Sequence, residues 1–319
     1  MKKAKAIFLA ALLAASVLCA SAAFAAPTYM SIATGGTSGT YYAVGGALAE
    51  AVSKEGKIKA TAETGNASIA NANLVNNGEI EIAFVQNDIA AWGAKGELMF
   101  AGKPLKNIRA VASLYPEHIQ FIIAKNAKIK TINDLKGKRV GTGAPGSGTE
   151  GDVMAILNAA GMSVKDLKAN PLDFAQTSAR FKDNQIDAGL VVAGYPTASI
   201  MDLTTSKDVD LLNFDKAFLD KLHKKYPFFI ASKVPAKTYK GIDHETNTPA
   251  VMAILITNAK VADKDIYNFL DAMYKNTAHL AAVHQKGKEI KLATALKGIS
   301  IPLHPGAEKF FKDKGVIKK

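Results

Sequence analysis

The amino-acid sequence predicts an α/β protein built from two similar lobes, because two patterns recur along it. The first pattern occurs at 30–40 (MSIATGGTSGT) and again at 139–149 (RVGTGAPGSGT). Each segment reads as a β-prone run, a glycine-rich turn that ends in Ser-Gly-Thr, and the start of a helix. The equivalent glycines, Gly39 and Gly148, are 109 positions apart.

The second pattern occurs at 76–86 (NNGEIEIAFVQ) and at 182–192 (KDNQIDAGLVV). Both segments place an acidic residue after isoleucine and continue with apolar residues, which is typical of a buried parallel strand. Ile80 and Ile186 are 106 positions apart, close to the offset of the glycine turns. Strand–turn–helix units recur within many α/β proteins, but the near-constant offset favours two similar lobes.

The glycine-rich turns predict a pair of anion-binding sites. Glycine permits a tight turn and lets a ligand approach the backbone closely. The helix start after each turn presents unpaired N–H groups and the positive end of a dipole, which suits a carboxylate or phosphate. With one such element in each lobe, the expected arrangement is a clamp.

The first 25 residues are interpreted as a signal peptide that is removed on export. Lys2, Lys3 and Lys5 precede an apolar run at 6–20, and 23–25 (AFA) fits the small-x-small rule for cleavage. The apolar run is too short to favour a transmembrane helix. We therefore expect a periplasmic protein. Its only cysteine, in the segment SVLC at 16–19, lacks the small residue expected beside a lipid-modified cysteine and would leave with the signal.

Length and charge distribution indicate which classes of protein fit this sequence. Removal of 1–25 leaves 294 residues, enough for two lobes, and lowers the formal net charge from +12 to +9. The lysines are dispersed, and no arginine-rich strip alternates with aromatic residues. We therefore expect a monomer that binds no nucleic acid, with a basic surface that enriches anions near the cleft.

The predicted first lobe has strands at 29–33, 57–63 and 80–85, with a helix at 40–54. In open α/β sheets, ligands lie beyond the carboxyl ends of the strands. Three loops therefore converge on one candidate site. They contain the predicted binding residues Gly36, Thr37, Thr40, Tyr41, Ser68, Gln86 and Asp88.

Two strand-like runs, at 109–114 and 119–124, are separated by the break 115–118 (YPEH) and suit a connection between lobes. The second lobe then contains the repeated turn with Ser147, Gly148 and Thr149, and a strand that delivers Gly194. A buried strand at 251–257 returns the chain, and 263–284 is strongly helical. The predicted division is 26–118 plus 257–319 for the first lobe and 119–256 for the second.

Several catalytic and cofactor sites fit the sequence poorly. The segment 141–146 (GTGAPG) matches a dinucleotide fingerprint, but Asp166 lies in a polar turn rather than at a strand end. Ser38 and Ser147 lack the flanking residues of a nucleophile elbow, and the histidines are scattered. We therefore expect no catalytic residues, no cofactor and no metal. The lone carboxylate of Asp88 is weak evidence for a general base.

Three further residues have two possible roles. Helical spacing lets one of Tyr41 and Tyr42 face the site, and we favour Tyr41. Trp92 is an anchor on the surface of a lobe or a core residue. Glu117 is a hinge salt-bridge partner or lies at the rim of the cleft.

Seven motifs, in order, resemble the TAXI family of solute-binding receptors, which serve TRAP transporters. They occur at 34–42, 67–71, 83–88, 114–117, 134–140, 143–149 and 301–307. Residues 66–67 read Asn-Ala, where relatives often carry Gly-Gly. The resemblance covers essentially the whole chain after 1–25.

The resemblance implies a type II periplasmic-binding-protein fold, two α/β lobes with a ligand cleft between them. It implies capture of glutamate, glutamine or a C4–C5 acid such as 2-oxoglutarate, and delivery to the membrane subunits of a TRAP permease by secondary transport. Because no motif contains a carboxylate-clamping arginine, the ligand carboxylate would be held by amides and hydroxyls of Thr37, Ser147, Gly148 and Thr149. A periplasmic sensor subunit and an exported enzyme remain the alternatives.

Overall fold

The computed structural model describes residues 26–318. The predicted signal peptide at 1–25 lies outside the described residues. Among 26–318, no helix has both the length and the apolar character needed to cross a bilayer.

The described residues form strands and helices that alternate along most of the chain. The strands are β1 (Thr28–Ala33), β2 (Ile58–Glu63), β3 (Ile82–Gln86), β4 (Ile108–Ala124), β5 (Arg139–Gly141), β6 (Lys168–Asn170), β7 (Ala188–Ala193), β8 (Val209–Leu211), β9 (Ile230–Val234) and β10 (Thr246–Asn258). The helices are α1 (Thr40–Lys54), α2 (Ser68–Asn77), α3 (Asn87–Lys95), α4 (Gly148–Ala160), α5 (Phe174–Lys182), α6 (Ala198–Ser206), α7 (Lys216–Lys225), α8 (Asp263–Lys275), α9 (Thr277–Val283) and α10 (Pro305–Asp313).

The strands form one sheet in the order β2-β1-β3-β10-β4-β7-β5-β6, with β8 also paired to β4 and β9 to β10. The pairs β1–β2, β1–β3, β5–β6 and β5–β7 are parallel, whereas β4 and β10 pair antiparallel with their neighbours. Every residue of β3 is buried, as its apolar run predicts. The repeated strand–turn–helix units therefore lie on opposite sides of the β4–β10 pair.

The long strands β4 and β10 connect the two sides of the sheet. The two runs predicted at 109–114 and 119–124 form one continuous strand, with Pro116 paired to Met252 inside it. A register shift between Ala253 and Ile254 lies next to this pair, and such irregularities accommodate proline in a sheet. Strand β4 therefore takes the chain from the first-lobe side of the sheet to the second-lobe side.

The partners of β10 change along its length. Its beginning, Thr246 to Ala250, pairs with β9, whereas Ala253 to Thr257 pairs with β3. We keep the predicted two-lobe division as a proposal. Below, β1–β3 with α1–α3 and α8–α10 are the first-lobe elements, and β5–β9 with α4–α7 are the second-lobe elements.

The helix predicted at 263–284 is two helices, α8 and α9, separated at Asn276. The side-chain amide of Asn276 donates to the carbonyls of Ala272, at 2.9 Å, and Ala51, at 3.4 Å. Asparagine side chains compete in this way with the regular backbone ladder. This break was not expected from apolar spacing alone.

Trp92 lies in the core and between lobes. It is buried on α3 and makes edge-to-face contacts with Tyr226, at 5.9 Å between ring centroids, and with Phe228, at 6.3 Å. The indole of this first-lobe residue therefore packs against aromatic rings of second-lobe segments. Trp92 is thus both a core residue and an anchor between the two sets of elements.

Candidate functional site

A cavity of about 380 Å³ lies between first-lobe and second-lobe elements. Its wall comprises the turn after β1, the loop before α2, the end of β3, the middle of β4 and the turn before α4. The cavity therefore lies beyond the carboxyl ends of parallel strands, where ligands bind in open α/β sheets.

Four helices begin at the cavity wall. They are α1 at Thr40, α2 at Ser68, α4 at Gly148 and α5 at Phe174, which the side chain of Asp173 caps. Within the described chain, no side chain caps α1 or α2, whereas Ser147 accepts from the N–H of Glu150 at 3.1 Å. The first N–H groups of a helix have no intrahelical partner and carry partial positive charge. The wall is therefore suited to an anionic group.

Ala67 precedes α2 in an unusual backbone conformation. Its φ of 64° and ψ of −147° lie close to a region that glycine occupies almost alone. Its carbonyl nevertheless accepts from Asn71 N–H at 2.8 Å, which holds the turn in place. The strain is located at the cavity wall, in the segment where relatives often carry Gly-Gly.

Glu117 is a buried carboxyl group in the cavity wall. The hydroxyl of Tyr41 donates to Glu117 Oε2 at 2.6 Å. Burial raises the pKa of Glu117 to about 8, with a contribution from the nearby charge of Asp88. The hydrogen bond from Tyr41 and the charge of Lys286 oppose that rise. At neutral pH, Glu117 is therefore mainly protonated.

No lysine or arginine is among the described residues that line the cavity. Lys286 is buried nearby, with its Nζ 2.7 Å from Glu289 Oε1 and 3.9 Å from the centroid of the Tyr195 ring. Burial lowers the pKa of Lys286, and the pair with Glu289 opposes this effect. An anion in the cavity would therefore be held by helix N-termini and hydroxyl groups.

Gln86 joins the two lobes at the bottom of the cavity. Its Nε2 donates to Asp152 Oδ2 at 2.7 Å, and Ser68 Oγ lies 3.0 Å from its backbone N. A Cβ atom added to Gly148 would overlap Gln86 Oε1 and lie 2.8 Å from Ser68 Oγ. A side chain at 148 would therefore displace the end of the Gln86 side chain, and glycine there preserves the hydrogen bond between Gln86 and Asp152.

Eight of the eleven residues predicted from sequence line this cavity: Gly36, Thr40, Tyr41, Ser68, Gln86, Ser147, Gly148 and Thr149. The structure places the other three outside the wall. Thr37 is exposed on the turn after β1, and the carbonyl of Gly194 accepts from Thr40 Oγ1 at 2.8 Å. Asp88 is fully buried behind Gln86, beside Asp152. We therefore leave Thr37, Asp88 and Gly194 out of the proposed ligand contacts.

The other wall residues were not among the predicted binding residues; they include Ser38, Glu117, Pro145 and Phe174. Glu117 was weighed as a hinge or rim residue, and the structure places it in the wall at the middle of β4. The signal that pointed to it is the Pro-Glu pair inside an otherwise apolar strand. Phe174 reaches the cavity because α5 packs beside the turn at Gly39, with a contact of 3.4 Å to a Cβ built there. No local pattern predicts that contact.

Comparison with known families gives a match to a model described as the NMT1-like family, over residues 32–315. This family match does not extend to the TAXI family, so the resemblance to TAXI receptors stays a prediction.

Comparison with solved structures gives matches to solute-binding proteins. The PhnD1 protein of Prochlorococcus marinus in complex with methylphosphonate has a TM-score of 0.56 and 11% identity, covering 91% of this chain and 100% of that one. The alkanesulfonate-binding protein SsuA of Xanthomonas axonopodis pv. citri, bound to MOPS, has a TM-score of 0.52 and 16% identity, covering 90% and 84%. A binding-protein component of a phosphonate ABC transporter from Pseudomonas aeruginosa has a TM-score of 0.51 and 11% identity, covering 83% and 80%.

At these identities the likeness shows the fold alone. The predicted α/β fold of periplasmic binding proteins is thereby confirmed.

Proposed function

Because the chain belongs to the NMT1-like family and has the fold of solute-binding proteins, we propose that it is a solute receptor of the periplasm. It captures a small carboxylate-bearing solute, namely glutamate, glutamine or a C4–C5 acid such as 2-oxoglutarate. Closure of the two lobes retains the solute for delivery to a TRAP-type secondary transporter. The observation that carries this proposal is the cavity between the lobes, with four helix starts and one buried carboxyl in its wall.

The helix starts support an acidic ligand. The N–H groups at the beginnings of α1 and α4 come from opposite lobes and border the same cavity. Hydrogen bonds to a charged group contribute about 1.5–3 kcal/mol each, so two or three of them account for useful affinity. The hydroxyl of Thr149 lies in the same wall and adds a neutral donor.

The buried carboxyl group of Glu117 favours an amino acid over a keto acid as the ligand. An ammonium group beside Glu117 would lower its pKa and form a charge-assisted hydrogen bond in a partly dry cavity. The predicted binding residues Asp88 and Gln86 are not placed for this role, because Asp88 lies behind the wall and Gln86 Nε2 donates to Asp152. We therefore propose glutamate and glutamine as the preferred ligands, with Glu117 as the group that selects them.

Contacts between the lobes support a clamp that closes around its ligand. Ala70 N–H donates to the carbonyl of Gly146 at 2.9 Å, and Ser199 N–H donates to the carbonyl of Ser38 at 3.3 Å. With the Thr40–Gly194 and Gln86–Asp152 hydrogen bonds, these contacts surround the cavity. A ligand that touches both lobes binds the closed form more tightly and shifts the population toward it.

A sulfonate or phosphonate is the second candidate ligand. The names of two structural neighbours, bound to MOPS and to methylphosphonate, favour it, and helix N-termini bind such anions readily. A doubly charged phosphonate is disfavoured because Glu117 provides no positive charge to balance it, and the described wall contains no lysine or arginine.

Two other classes of protein use the same kind of cleft. An exported enzyme would convert its ligand, and a sensor subunit would pass the closed state to a membrane kinase. The neighbours are named as binding proteins rather than enzymes, which favours a non-catalytic role.

Thermal unfolding of the chain without 1–25 tests the ligand class. We expect glutamate or glutamine to raise the melting temperature most, 2-oxoglutarate less, and methylphosphonate or an alkanesulfonate least. Mass spectrometry of the recovered ligand distinguishes binding from turnover, because a receptor returns it unaltered. Stabilisation by the sulfonate or phosphonate alone would contradict the carboxylate proposal.

Uptake into proteoliposomes tests the transport partner. Vesicles that contain the large and small subunits of a TRAP permease should accumulate the labelled ligand only when this receptor is added and an ion gradient is present. Uptake that requires ATP instead would contradict secondary transport.

A further inference from the structure

Two buried carboxyl groups meet behind the cavity, one from each lobe. Asp88 lies in the first turn of α3, and Asp152 lies in α4. Both residues are 0% exposed. Asp152 Oδ2 accepts from Gln86 Nε2, whereas Asp152 Oδ1 and both carboxylate oxygens of Asp88 have no hydrogen-bond partner within the described chain.

The surroundings of this pair are dry and contain no compensating cation. A Cβ built at Gly151 would lie 2.7 Å from Met99 Cε and 2.8 Å from Ile89 Cδ1, so the α4 backbone is packed tightly against first-lobe side chains. Among residues 26–318, neither Asp88 nor Asp152 has an ion-pair partner. Water and counter-ions are therefore poorly placed to stabilise two negative charges.

The charged groups around the pair add negative rather than positive potential. Glu117 faces both aspartates from β4 and raises the pKa of Asp152 when it is charged. The charge of Lys286 lowers the pKa of Glu117, but Lys286 forms its ion pair with Glu289. Burial raises the pKa of Asp88 to about 6, and it raises that of Asp152 well above the usual range, with Asp88 as a further cause.

We propose that Asp88 and Asp152 form a proton-dependent latch: closing the lobes brings the two carboxyl groups together only when at least one of them is protonated. Two ionised carboxylates cannot share a buried site without a cation or a proton between them. In the open form, the same groups face water on separate lobes and ionise in the ordinary acid range. Closing therefore takes up protons from solution. The inference about ligand release rests on the proposed receptor function, but the latch itself concerns the closing motion.

The direction of the pH effect follows from linkage. A group with a higher pKa in the closed form stabilises that form at low pH, and the stabilisation falls as pH rises through the higher pKa. The loss begins at about pH 4, where aspartate ionises in the open form, and the contribution of Asp88 is lost as pH rises through about 6; the contribution of Asp152 is lost at higher pH. One proton taken up per closure changes the closing equilibrium by about tenfold per pH unit at most.

The test measures the lobe distance in the absence of any ligand. Spin labels on cysteines introduced at the exposed residues Tyr29 and Met201, in the chain without 1–25, report the distance by double electron–electron resonance. We expect the closed fraction to fall between pH 5 and pH 9. Asp88→Asn and Asp152→Asn mimic the protonated acid, so each should flatten this pH response and keep more molecules closed at pH 8.

Asp220→Asn is the matched control, because it removes a carboxylate from the exposed face of α7. It should retain the response of the parent chain. A parent chain whose closed fraction does not change with pH would overturn the latch, and so would Asp88→Asn and Asp152→Asn variants that keep the full response. Circular dichroism confirms that each variant is folded.

A second measurement uses the ligand and separates the two proposals. Calorimetry in buffers of different ionisation enthalpy gives the number of protons exchanged on binding. Asp152→Asn should take up about one proton fewer than the parent at pH 7, because Asp152 has the pKa that burial raises well above the usual range. If no tested solute binds, the receptor proposal fails while the distance measurement still decides the latch. If a solute binds and the proton count is the same in both proteins, the latch fails while the receptor stands.

Discussion

The hydrogen bond between Tyr41 and Glu117 puts a buried ionisable group in the wall of the proposed binding cavity. A neutral acid at this position donates to a carbonyl or accepts from an amide, whereas an ionised one binds ammonium. Because the pKa of Glu117 is about 8, the protonated and ionised forms differ little in free energy near neutral pH. The charge of the bound ligand therefore determines which form is populated.

Glu117→Gln should weaken glutamate binding by tenfold or more and leave 2-oxoglutarate binding within about threefold, since one charge-assisted hydrogen bond is worth about 1.5–3 kcal/mol. The ratio of the parent's affinity to that of the variant should increase as pH rises toward 8, because the parent's carboxyl ionises more readily there. Titration calorimetry at pH 6, 7 and 8 measures both effects.

Tyr41→Phe is the matched control for that variant. It removes only the hydroxyl donor and keeps the ring contact with Phe84, whose centroid lies 5.0 Å away. It should raise the pKa of Glu117 and have a smaller effect on glutamate than Glu117→Gln. Equal losses for glutamate and 2-oxoglutarate in Glu117→Gln would contradict a selective role.

Ala67 holds a backbone conformation that suits glycine, so Ala67→Gly should stabilise the protein. Relief of the strain, about 1–3 kcal/mol, exceeds the entropy that glycine loses on folding, about 0.5–1 kcal/mol. We expect the free energy of unfolding in urea to rise by up to about 2 kcal/mol. Ala70→Gly, inside α2, is the control and should lower it by about 0.5–1 kcal/mol. A lower stability for Ala67→Gly would show that the strain is absent.

At the scale of helices and strands, the site depends on how closely α4 approaches β3. Gly148 begins α4 directly against the side chain of Gln86, which ends β3. The same contact brings the α4 N–H groups to the cavity and places Asp152, one turn further on, beside Asp88. The affinity for the ligand and the pH dependence of lobe closure are therefore both expected to depend on the position of α4 relative to β3.

Gly148→Ala should disfavour full closure, because its Cβ would overlap Gln86 Oε1. Alanine suits the first turn of a helix, so we expect the open form to fold normally. Ligand affinity should fall by tenfold or more, and small-angle scattering with saturating ligand should show a larger radius of gyration than the parent chain.

Gly46→Ala on α1 is the matched control, since a Cβ there meets no atom within 4 Å. It should keep the parent's affinity and gain about 0.5–1 kcal/mol of stability. Unchanged affinity in Gly148→Ala would show that the close contact with Gln86 is not needed for binding.

At the scale of the whole molecule, the proposed lobes meet through the aromatic contacts of Trp92 and through buried polar contacts around the cavity. In the proposed clamp, each polar contact forms only when the lobes close, so we expect its loss to affect ligand affinity more than the stability of the lobes. The hydrogen bond from Thr40 Oγ1 to the carbonyl of Gly194 is the clearest case, because both groups are buried and 154 positions apart.

Thr40→Val should lower ligand affinity by about twofold to tenfold, because it removes one hydrogen bond worth about 0.5–1.5 kcal/mol while Thr197 Oγ1 still donates to the Gly194 carbonyl at 3.1 Å. Thr40→Ser keeps the hydroxyl and should restore most of the affinity, which separates this contact from a general packing effect. Calorimetry on both variants, with urea unfolding of the ligand-free proteins, measures the difference. Equal affinities for Val and Ser at this position would contradict the closing role.

The local sequence determined the elements that have a strong local signal. The glycine turns, the helix starts at Thr40 and Gly148 and the buried strand that ends at Gln86 follow from turn chemistry and apolar spacing, which depend on neighbours along the chain. The same signals indicated most of the residues in the cavity wall, because strand ends and helix starts converge in an α/β sheet.

Only the tertiary structure decided which side chains at those positions face the cavity and which pair across the lobes. Thr37 follows the end of β1, as Thr40 does, yet its side chain is exposed. Asp88 follows the end of β3, close to Gln86, yet it is buried behind the cavity wall. Glu117 becomes a wall residue because β4 continues through Pro116 from one side of the sheet to the other. Asp88 and Asp152 are 64 positions apart, and they meet only because the lobes pack together. Local patterns specify backbone elements, whereas packing between distant segments specifies burial, and burial sets the charge of these carboxyl groups.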